Sequence, residues 1–189
     1  MGAGPDDLID RSVPFLELIK NRTAGEELEV WLNRTHGPGT QLWDDLARII
    51  TEGVADGWAA NIEVDGPNYR RSRIAEPSER LNWFSVTAVY MNSVPVYRGQ
   101  YHQHPYGEIN MVVPLDEGAT LGGPRGWQGA GWTAPEPSSH HYPEVKGGAV
   151  IALVEDDRSA AVSAALARLG AATRSVTLEP AAVTHRSGS

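Results

Sequence analysis

The sequence GQYHQHPYGEI, residues 99–109, brings two histidines and a glutamate close together. His102 and His104 are two positions apart, so in an extended strand their side chains project from the same face. The Pro-Tyr-Gly sequence that follows favours a tight turn, which returns Glu108 to the two histidines. Two imidazoles and a carboxylate from one hairpin form half of a metal site for a divalent ion such as Fe, Mn, Ni, Co or Zn.

A second histidine-bearing stretch supplies a further ligand. The sequence GAGWTAPEPSSHH, residues 129–141, places His140 and His141 just after a proline-rich turn. Alternate histidines also arise by chance in metal-free barrels. Here, however, four of the six histidines of the chain fall in these two stretches. A bound metal is therefore the favoured interpretation.

Both stretches resemble the metal-binding motifs of the cupins. The first cupin motif, HxHxxxE, is matched by His102, His104 and Glu108. The second, GxxxxxPxGxxHxxxN, is matched in part, with Gly129, Pro135 and His140 in place and with Pro137 and Glu144 where glycine and asparagine stand in the family. The resemblance implies a jelly-roll barrel in which His140, rather than His141, is the fourth ligand.

Composition limits the class of protein. The 189 residues are 41% hydrophobic and 21% charged, which is typical of one globular domain. The net charge of −8 argues against a nucleic-acid partner, and the absence of cysteine excludes disulfides and thiolate ligands. The longest apolar run, residues 149–154, is too short to span a membrane. Because the N-terminal residues lack the features of a signal peptide, we expect a cytoplasmic protein.

Periodicity predicts helices before strands. Residues 5–58 have helical spacing of apolar residues with breaks, and Thr40 caps the clearest helix. From about residue 58 the period changes to that of short strands, predicted at 59–64, 69–75, 83–90, 94–104, 108–115, 119–123, 131–134, 140–145 and 149–154. An alanine-rich helix is predicted from Ser159 to Leu169, ended by Gly170, with a possible strand from Arg174 to Leu178 and a polar tail.

The expected fold is mainly β, a cupin-type jelly-roll barrel with a helical N-terminal extension and a short C-terminal helix. We expect a helical cap over residues 1–60, the barrel with its metal site over 61–157, and the C-terminal helix and tail over 158–189, packed as one domain.

Strand parity identifies candidate pocket residues. If His102 and His104 face the interior, so do Arg98 and Gln100, unless a bulge intervenes near Gly99. The other candidates for substrate binding are Arg71, Arg73, Asn110, Trp83 and Tyr90. The arginines suit a carboxylate and the aromatic residues suit a ring, although a rim salt bridge for Arg98 and core packing for the aromatics are the alternatives. His141 and Glu144 are candidates for proton transfer, whereas Tyr101 and Gln103 are expected to face away.

A wider pattern resembles the small bacterial 4-hydroxylaminobenzoate lyases. It consists of a helical N-terminal region, the sequence YHQHPYGEIN at residues 101–110 and the two short sequences WTAP and SSHHYP within residues 132–143. The resemblance implies a metal-dependent lyase that converts a small aromatic carboxylic acid, 4-hydroxylaminobenzoate, to protocatechuate with release of ammonia. In that reaction the metal would favour N–O cleavage, water would add to the ring, and the resulting imine would hydrolyse.

Two other functions fit the same residues. A ring-cleaving dioxygenase acting on a catechol or aminophenol would use the same ligands with Fe and would consume oxygen. A non-catalytic ligand-binding cupin would bind a ligand without turnover. We also expect a homodimer, since cupins often pair through sheet edges.

Overall fold

Three helices precede the strands, as predicted. The computed structural model describes residues 2–174, and its first elements are α1 (Pro5–Ile19), α2 (Glu26–Thr35) and α3 (Gln41–Ala55). Thr40 caps α3, because its Oγ1 accepts a hydrogen bond from the backbone N–H of Trp43 at 3.4 Å. Buried apolar residues recur at helical spacing in α1 and α3, so each helix presents one face to the core.

Within residues 2–174 twelve strands follow, most of them close to the predicted positions. They are β1 (Ile62–Glu63), β2 (Tyr69–Ala75), β3 (Phe84–Ser93), β4 (Tyr97–Arg98), β5 (His102–His104), β6 (Glu108–Pro114), β7 (Thr120–Gly123), β8 (Gly126–Gln128), β9 (Gly131–Thr133), β10 (Ser139–His141), β11 (Glu144–Lys146) and β12 (Gly148–Asp157). A short 3₁₀ turn, Glu79–Leu81, lies between β2 and β3.

The strand pairing is that of a jelly roll. Antiparallel partners are nested, with β3 beside β12, β4 beside β11, β5 beside β10, β6 beside β9 and β7 beside β8. This nesting is a long hairpin folded over on itself, the topology expected of a cupin-type fold. Among residues 2–174 the strands form a six-stranded sheet, a four-stranded sheet and a two-stranded ribbon. Their hydrogen bonds do not close one continuous barrel. The predicted fold class is therefore confirmed, without full closure.

Strand alternation divides the six-stranded sheet into two faces. On β3, Phe84, Val86 and Ala88 belong to the core shared with the helices, whereas Val89 and Met91 face the opposite side. That core includes many fully buried side chains from α1 and α3, each of which contributes about 1.5–3 kcal/mol on burial. The helices thus cover one face of the sheet and leave the other for the interior of the jelly roll.

Apolar side chains fill part of that interior. A second buried cluster lies between the sheets and comprises Tyr69, Met91, Val112, Ala119, Leu121, Val145, Val150 and Ala152. Its members come from strands of both the six-stranded and the four-stranded sheet. Several also line a cavity in the same interior, so the apolar cluster forms one wall of that cavity.

One acidic side chain is buried in the sheet without a partner. Glu155 of β12 is fully buried, and its register neighbours are Val86 on β3 and Ile109 on β6. Neither carboxyl oxygen has a hydrogen-bond partner among the described residues. Burial therefore raises the pKa of Glu155 well above its ordinary value, which favours the neutral acid.

The C-terminal helix differs from the prediction in length. The helix α4 (Ser159–Arg174) continues through Gly170, where the sequence predicted its end. By their contacts, residues 2–159 form one compact unit, and the described part of α4 beyond Ser159 belongs to a second. The possible strand predicted to follow Arg174 lies outside the described residues. No helix within residues 2–174 is long and apolar enough to cross a membrane.

Candidate metal centre and cavity

The first motif forms the hairpin that its sequence predicts. β5 ends at His104, a turn follows, and β6 begins at Glu108. Gly107 has φ +86° in this turn, and its backbone N–H donates to the carbonyl of His104 at 3.3 Å. A side chain is disfavoured at such a φ, and a Cβ would also lie only 2.8 Å from the Cβ of Ala24. The glycine is therefore required for the turn that returns Glu108 to His104.

Three histidines converge beside this hairpin. His102, His104 and His141 each place a ring nitrogen within 4.8 Å of the others. The ring centroids of His102 and His104 are 4.6 Å apart, and that of His141 lies 4.7 Å from His102 and 5.0 Å from His104. β10 pairs with β5 so that His141 is directly opposite His102. Directly opposed residues share a face, which explains the cluster.

His140 is not in this cluster, contrary to the prediction. It is paired with Gln103, the residue between the two motif histidines, and therefore projects from the other face of the ribbon. Its side chain is exposed, and its ring lies 5.6 Å from that of Tyr101. The structure thus places His141 where the cupin motif implied His140.

Glu108 completes the group of donors. Its Oε2 lies 3.4 Å from Nδ1 of the buried His104, although the two groups are not aligned for a hydrogen bond. Its Oε1 accepts a hydrogen bond from Nδ2 of Asn110 at 2.9 Å. The same Nδ2 also donates to Oγ1 of Thr133 at 3.2 Å, which links β6 to β9. Asn110 therefore orients the carboxylate from its own strand.

The donor set fits a divalent transition metal. His104 is only 2% exposed, yet neither of its ring nitrogens has a hydrogen-bond partner among the described residues. A buried polar atom without a partner is costly and requires a reason, and coordination to a metal supplies one. Three imidazoles and a carboxylate are ligands that suit Fe, Mn, Co, Ni or Zn.

The local electrostatics favour the metal-binding protonation states. Burial lowers the pKa of His141 to about 4, with smaller contributions from His102 and His104. Burial also lowers the pKa of His102. Burial of Glu108 acts to raise its pKa, but the neighbouring His104 and Asn110 outweigh it, so the pKa is lowered overall. Neutral imidazoles and an ionised carboxylate are the forms that bind metals.

A cavity of about 630 Å³ adjoins the histidine cluster. Among its lining residues are His102, Glu108 and His141, together with four predicted substrate-binding residues, Arg71, Arg73, Gln100 and Asn110. Nε of Arg73 lies 3.9 Å from Oε1 of Glu76, whereas Arg71 forms no salt bridge with any described residue. The cavity is large enough for a small organic ligand, and Arg71 is available to pair with an anion.

Arg98 does not line the cavity, and the reason lies at Gly99. The predicted strand from residue 94 to 104 is two strands, β4 and β5, that belong to different sheets. A Cβ at Gly99 would lie 3.0 Å from side chains of Pro143 and Tyr69, so the chain passes closely between them. The alternation of side chains along β5 therefore does not extend across Gly99 to Arg98. Arg98 is exposed, and its Nε donates to Oε1 of Glu144 at 2.7 Å.

The two predicted aromatic contacts also lie elsewhere. Trp83 has φ +67° and precedes β3, and its carbonyl accepts a hydrogen bond from the N–H of Arg158. Tyr90 is on β3, but alternation turns it to the helical side, where Arg70 stacks over its ring at 4.4 Å. Neither side chain reaches the cavity.

Glu144 is near the site without lining it. Its carboxylate is held by Arg98, and its charge acts to raise the pKa of His141 against the larger effect of burial. Tyr101 and Gln103 were expected to face away, and both border the cavity. Gln103 is exposed and lies on the face of β5 opposite to His102 and His104, so it borders the cavity without joining the cluster. Tyr101 precedes the first residue of β5, so strand parity does not apply to it.

Two charged residues of the cavity were not predicted. Asp156 of β12 lies opposite Glu108 in register, and Arg158 forms an ion pair with it. Both line the cavity. The position of Asp156 could have been predicted from alternation along β12, because Ala152, Val154 and Asp156 share the interior face. Burial, rather than any partner, is the main reason that the pKa of Asp156 is raised.

Comparison with known proteins identifies close relatives. A family model described as PnbB, 4-hydroxylaminobenzoate lyase, matches residues 10–155. A 4-hydroxylaminobenzoate lyase from Nocardioides sp. (strain LMS-CY) is 71% identical over 149 residues, covering 79% of this chain and 88% of the relative. Another from Pseudomonas putida is 54% identical over 155 residues, covering 78% and 88%. A solved cupin domain from Bordetella pertussis Tohama I is 13% identical, matches over 50% of this chain and 97% of its own length, and has a TM-score of 0.33.

Proposed function

The chain belongs to the 4-hydroxylaminobenzoate lyase family, and on this basis we propose that it converts 4-hydroxylaminobenzoate to protocatechuate and ammonia with a divalent metal. One molecule of water is consumed, and the reaction needs neither oxygen nor an external reductant. The observation that carries the proposal is the cavity itself, which has the histidine cluster with Glu108 at one side and, at another, Arg71, which forms no salt bridge within residues 2–174.

In this proposal the metal is held by His102, His104, His141 and Glu108. His141 takes the place that the cupin motif assigned to His140, because His141 shares a face with His102. When bound there, the metal supplies Lewis acidity that weakens the N–O bond of the hydroxylamino group. Asn110 keeps the Glu108 carboxylate oriented throughout.

Arg71 is proposed to bind the substrate carboxylate. It is carried by β2, and Glu108 and Asn110 are carried by β6, with β3 and β12 between these strands. Three strand spacings separate the two, or about 14 Å. A para-substituted ring, extended by an arginine side chain, suits a gap of this size. A guanidinium also binds a carboxylate through two parallel hydrogen bonds, which fixes the orientation of the substrate.

Apolar side chains are proposed to contact the ring. Val89, Met91 and Leu121 line the cavity between its charged residues. Such a wall removes water from the ring faces, while Gln100 and Tyr101 supply polar groups in the same lining. Substrate orientation would then follow from three contacts: the carboxylate at Arg71, the ring at the apolar wall and the nitrogen end at the histidines.

The test is product release under anaerobic conditions. Metal-loaded protein is incubated with 4-hydroxylaminobenzoate, and ammonia and protocatechuate are measured with and without oxygen. We expect equal amounts of both products in both conditions, and none from a His104→Ala variant. Oxygen uptake with a catechol or aminophenol, together with no anaerobic product, would replace the lyase by a dioxygenase. Ligand binding without any turnover would indicate a binding protein.

A further inference from the structure

A partly buried ion pair joins the helical region to the jelly roll near the candidate metal centre. Glu29 of α2 is 9% exposed, and Arg125 lies in the turn between β7 and β8. Oε1 of Glu29 accepts from Nε of Arg125 at 2.9 Å, and Oε2 accepts from Nη2 at 2.5 Å. The contact is therefore bidentate, the most directional form of a carboxylate–guanidinium pair.

Both residues also bind the backbone of Ala134. The N–H of Ala134 donates to Oε2 of Glu29 at 2.8 Å, and its carbonyl accepts from Nη2 of Arg125 at 2.9 Å. The two polar groups of one residue are thus held by the two members of the ion pair. We call Glu29, Arg125 and the Ala134 backbone the Glu29 clamp.

The segment that leaves the clamp is bonded to two of the proposed metal ligands. The carbonyl of Pro135 accepts from the N–H of Glu108 at 3.1 Å. The N–H of Ser138 donates to the carbonyl of His104 at 2.8 Å. The next residues form β10, which carries His141. The clamp therefore fixes the start of a segment that touches Glu108 and His104 and ends in His141.

The start of α2 is packed against the same segment. A Cβ on Gly107, in the turn of the first motif, would lie 3.3 Å from Pro137 and 2.8 Å from Ala24. A Cβ on Gly25 would lie 3.3 Å from Cγ of Glu136. Because these contacts leave little free space, displacement of the segment at Ala134 would be transmitted to the turn that precedes Glu108.

We propose that Glu29 and Arg125 are positioning residues for the metal centre, an inference that rests on the proposed function. Glu29 does not contact the histidine cluster. Through Ala134 and the segment to Ser138, it holds the backbone of the hairpin and of β10 at the spacing that brings the ligands together. Ion pairs in partial contact with solvent contribute little net stability, so a role in geometry explains why charged groups occupy this position.

The experiment compares two loss-of-carboxylate variants. Glu29→Ala removes the clamp. Asp116→Ala is the control, since Oδ2 of Asp116 likewise accepts from an alanine N–H, that of Ala149 at 2.8 Å, at the opposite end of β12 from Asp156. Co²⁺ is the probe, and its affinity and visible absorption spectrum are measured with each protein, with circular dichroism to show that it is folded. We expect Glu29→Ala to bind Co²⁺ about 10- to 100-fold more weakly with an altered spectrum, and Asp116→Ala to match the wild type in both.

The outcomes separate this inference from the proposed function. If the wild type itself binds no Co²⁺, the metal centre is wrong. If the wild type binds it and folded Glu29→Ala has the same affinity and spectrum, the positioning role is overturned. Should Glu29→Ala fail to fold, Arg125→Lys replaces it, because lysine keeps the charge but cannot form the bidentate contact. Unchanged affinity and spectrum in Arg125→Lys would equally overturn the inference.

Discussion

Asn110 donates a hydrogen bond to Oε1 of Glu108 at 2.9 Å, and both side chains project from β6 into the cavity. Replacing Asn110 with leucine removes that bond while keeping a similar volume. We expect metal affinity to fall about 10- to 100-fold, the usual effect of losing a group that orients a ligand. Thr133→Val removes only the hydrogen bond between Asn110 and Thr133, so it should lower metal affinity less. Equal affinity in Asn110→Leu and the wild type would contradict this role.

The two adjacent histidines should behave differently. His141→Ala removes a member of the cluster and should cost more metal affinity than the loss of an orienting group. His140→Ala removes an exposed side chain from the opposite face and should retain the wild-type metal content. Metal analysis of the two purified variants distinguishes them. A larger loss in His140→Ala would restore the assignment given by the cupin motif.

Arg71 and Arg98 offer a matched pair for substrate binding. Arg71 lines the cavity, whereas Arg98 lies outside it and is paired with Glu144. A charge-assisted hydrogen bond contributes about 1.5–3 kcal/mol, so Arg71→Met should lower kcat/KM by roughly 10- to 100-fold, mainly through KM. Arg98→Met should change it little. Steady-state kinetics with 4-hydroxylaminobenzoate measure both, and the reverse order would exclude Arg71 as the carboxylate anchor.

Acid should destabilise the metal-free protein through His141. Its pKa in the folded chain is about 4, below the value of about 6.5 expected when unfolded. Between these values the unfolded chain binds a proton that the folded chain does not, so the free energy of unfolding falls as the pH falls. His102 acts with the same sign. Urea unfolding of metal-free protein at several pH values should show this fall, and it should be reduced in His141→Asn.

Glu155 should have the opposite effect at higher pH. Its pKa is raised in the folded protein, so its contribution to stability is complete below its unfolded pKa and is lost as the pH rises toward the folded value. Between the unfolded and the folded pKa, the free energy of unfolding falls by up to about 1.4 kcal/mol per pH unit. Denaturant unfolding should therefore show that Glu155→Gln is more stable than the wild type at pH 8. The difference in the free energy of unfolding should be smaller at pH 5. The exposed Glu63→Gln is the control, and the same pH profile in both variants would refute the assignment.

The spacing of the first motif was sufficient to predict that His102, His104 and Glu108 lie together, because a strand and a turn determine their directions locally. It was not sufficient to choose between His140 and His141. That choice depends on the register between β10 and β5, which is set by hydrogen bonds between segments distant in sequence. A family motif fixes the intervals between its residues. Here Pro137, just before β10, already stands where the motif expects glycine.

Arg98 lies outside the cavity that it was expected to line, for a related reason. Parity holds only within one strand, and the chain changes sheets at Gly99, where a Cβ would require Pro143 or Tyr69 to shift. Asp156, in contrast, was predictable from the alternation along β12. The division of the chain into cap, barrel and tail, the homodimer and the cytoplasmic location remain predictions.

The nested pairing of the strands has a consequence for the order of folding. β7 and β8 are neighbours along the chain, whereas β3 and β12 are joined by everything between them. Since short loops close at lower entropic cost than long ones, β7 and β8 are expected to pair early. Each outer pair is expected to form after the pair inside it. β5 and β10 lie midway in this series. A chain emerging from synthesis therefore carries His102 and His104 before His141 can join them, and high-affinity metal capture should report that the inner pairs, up to β5 and β10, have formed.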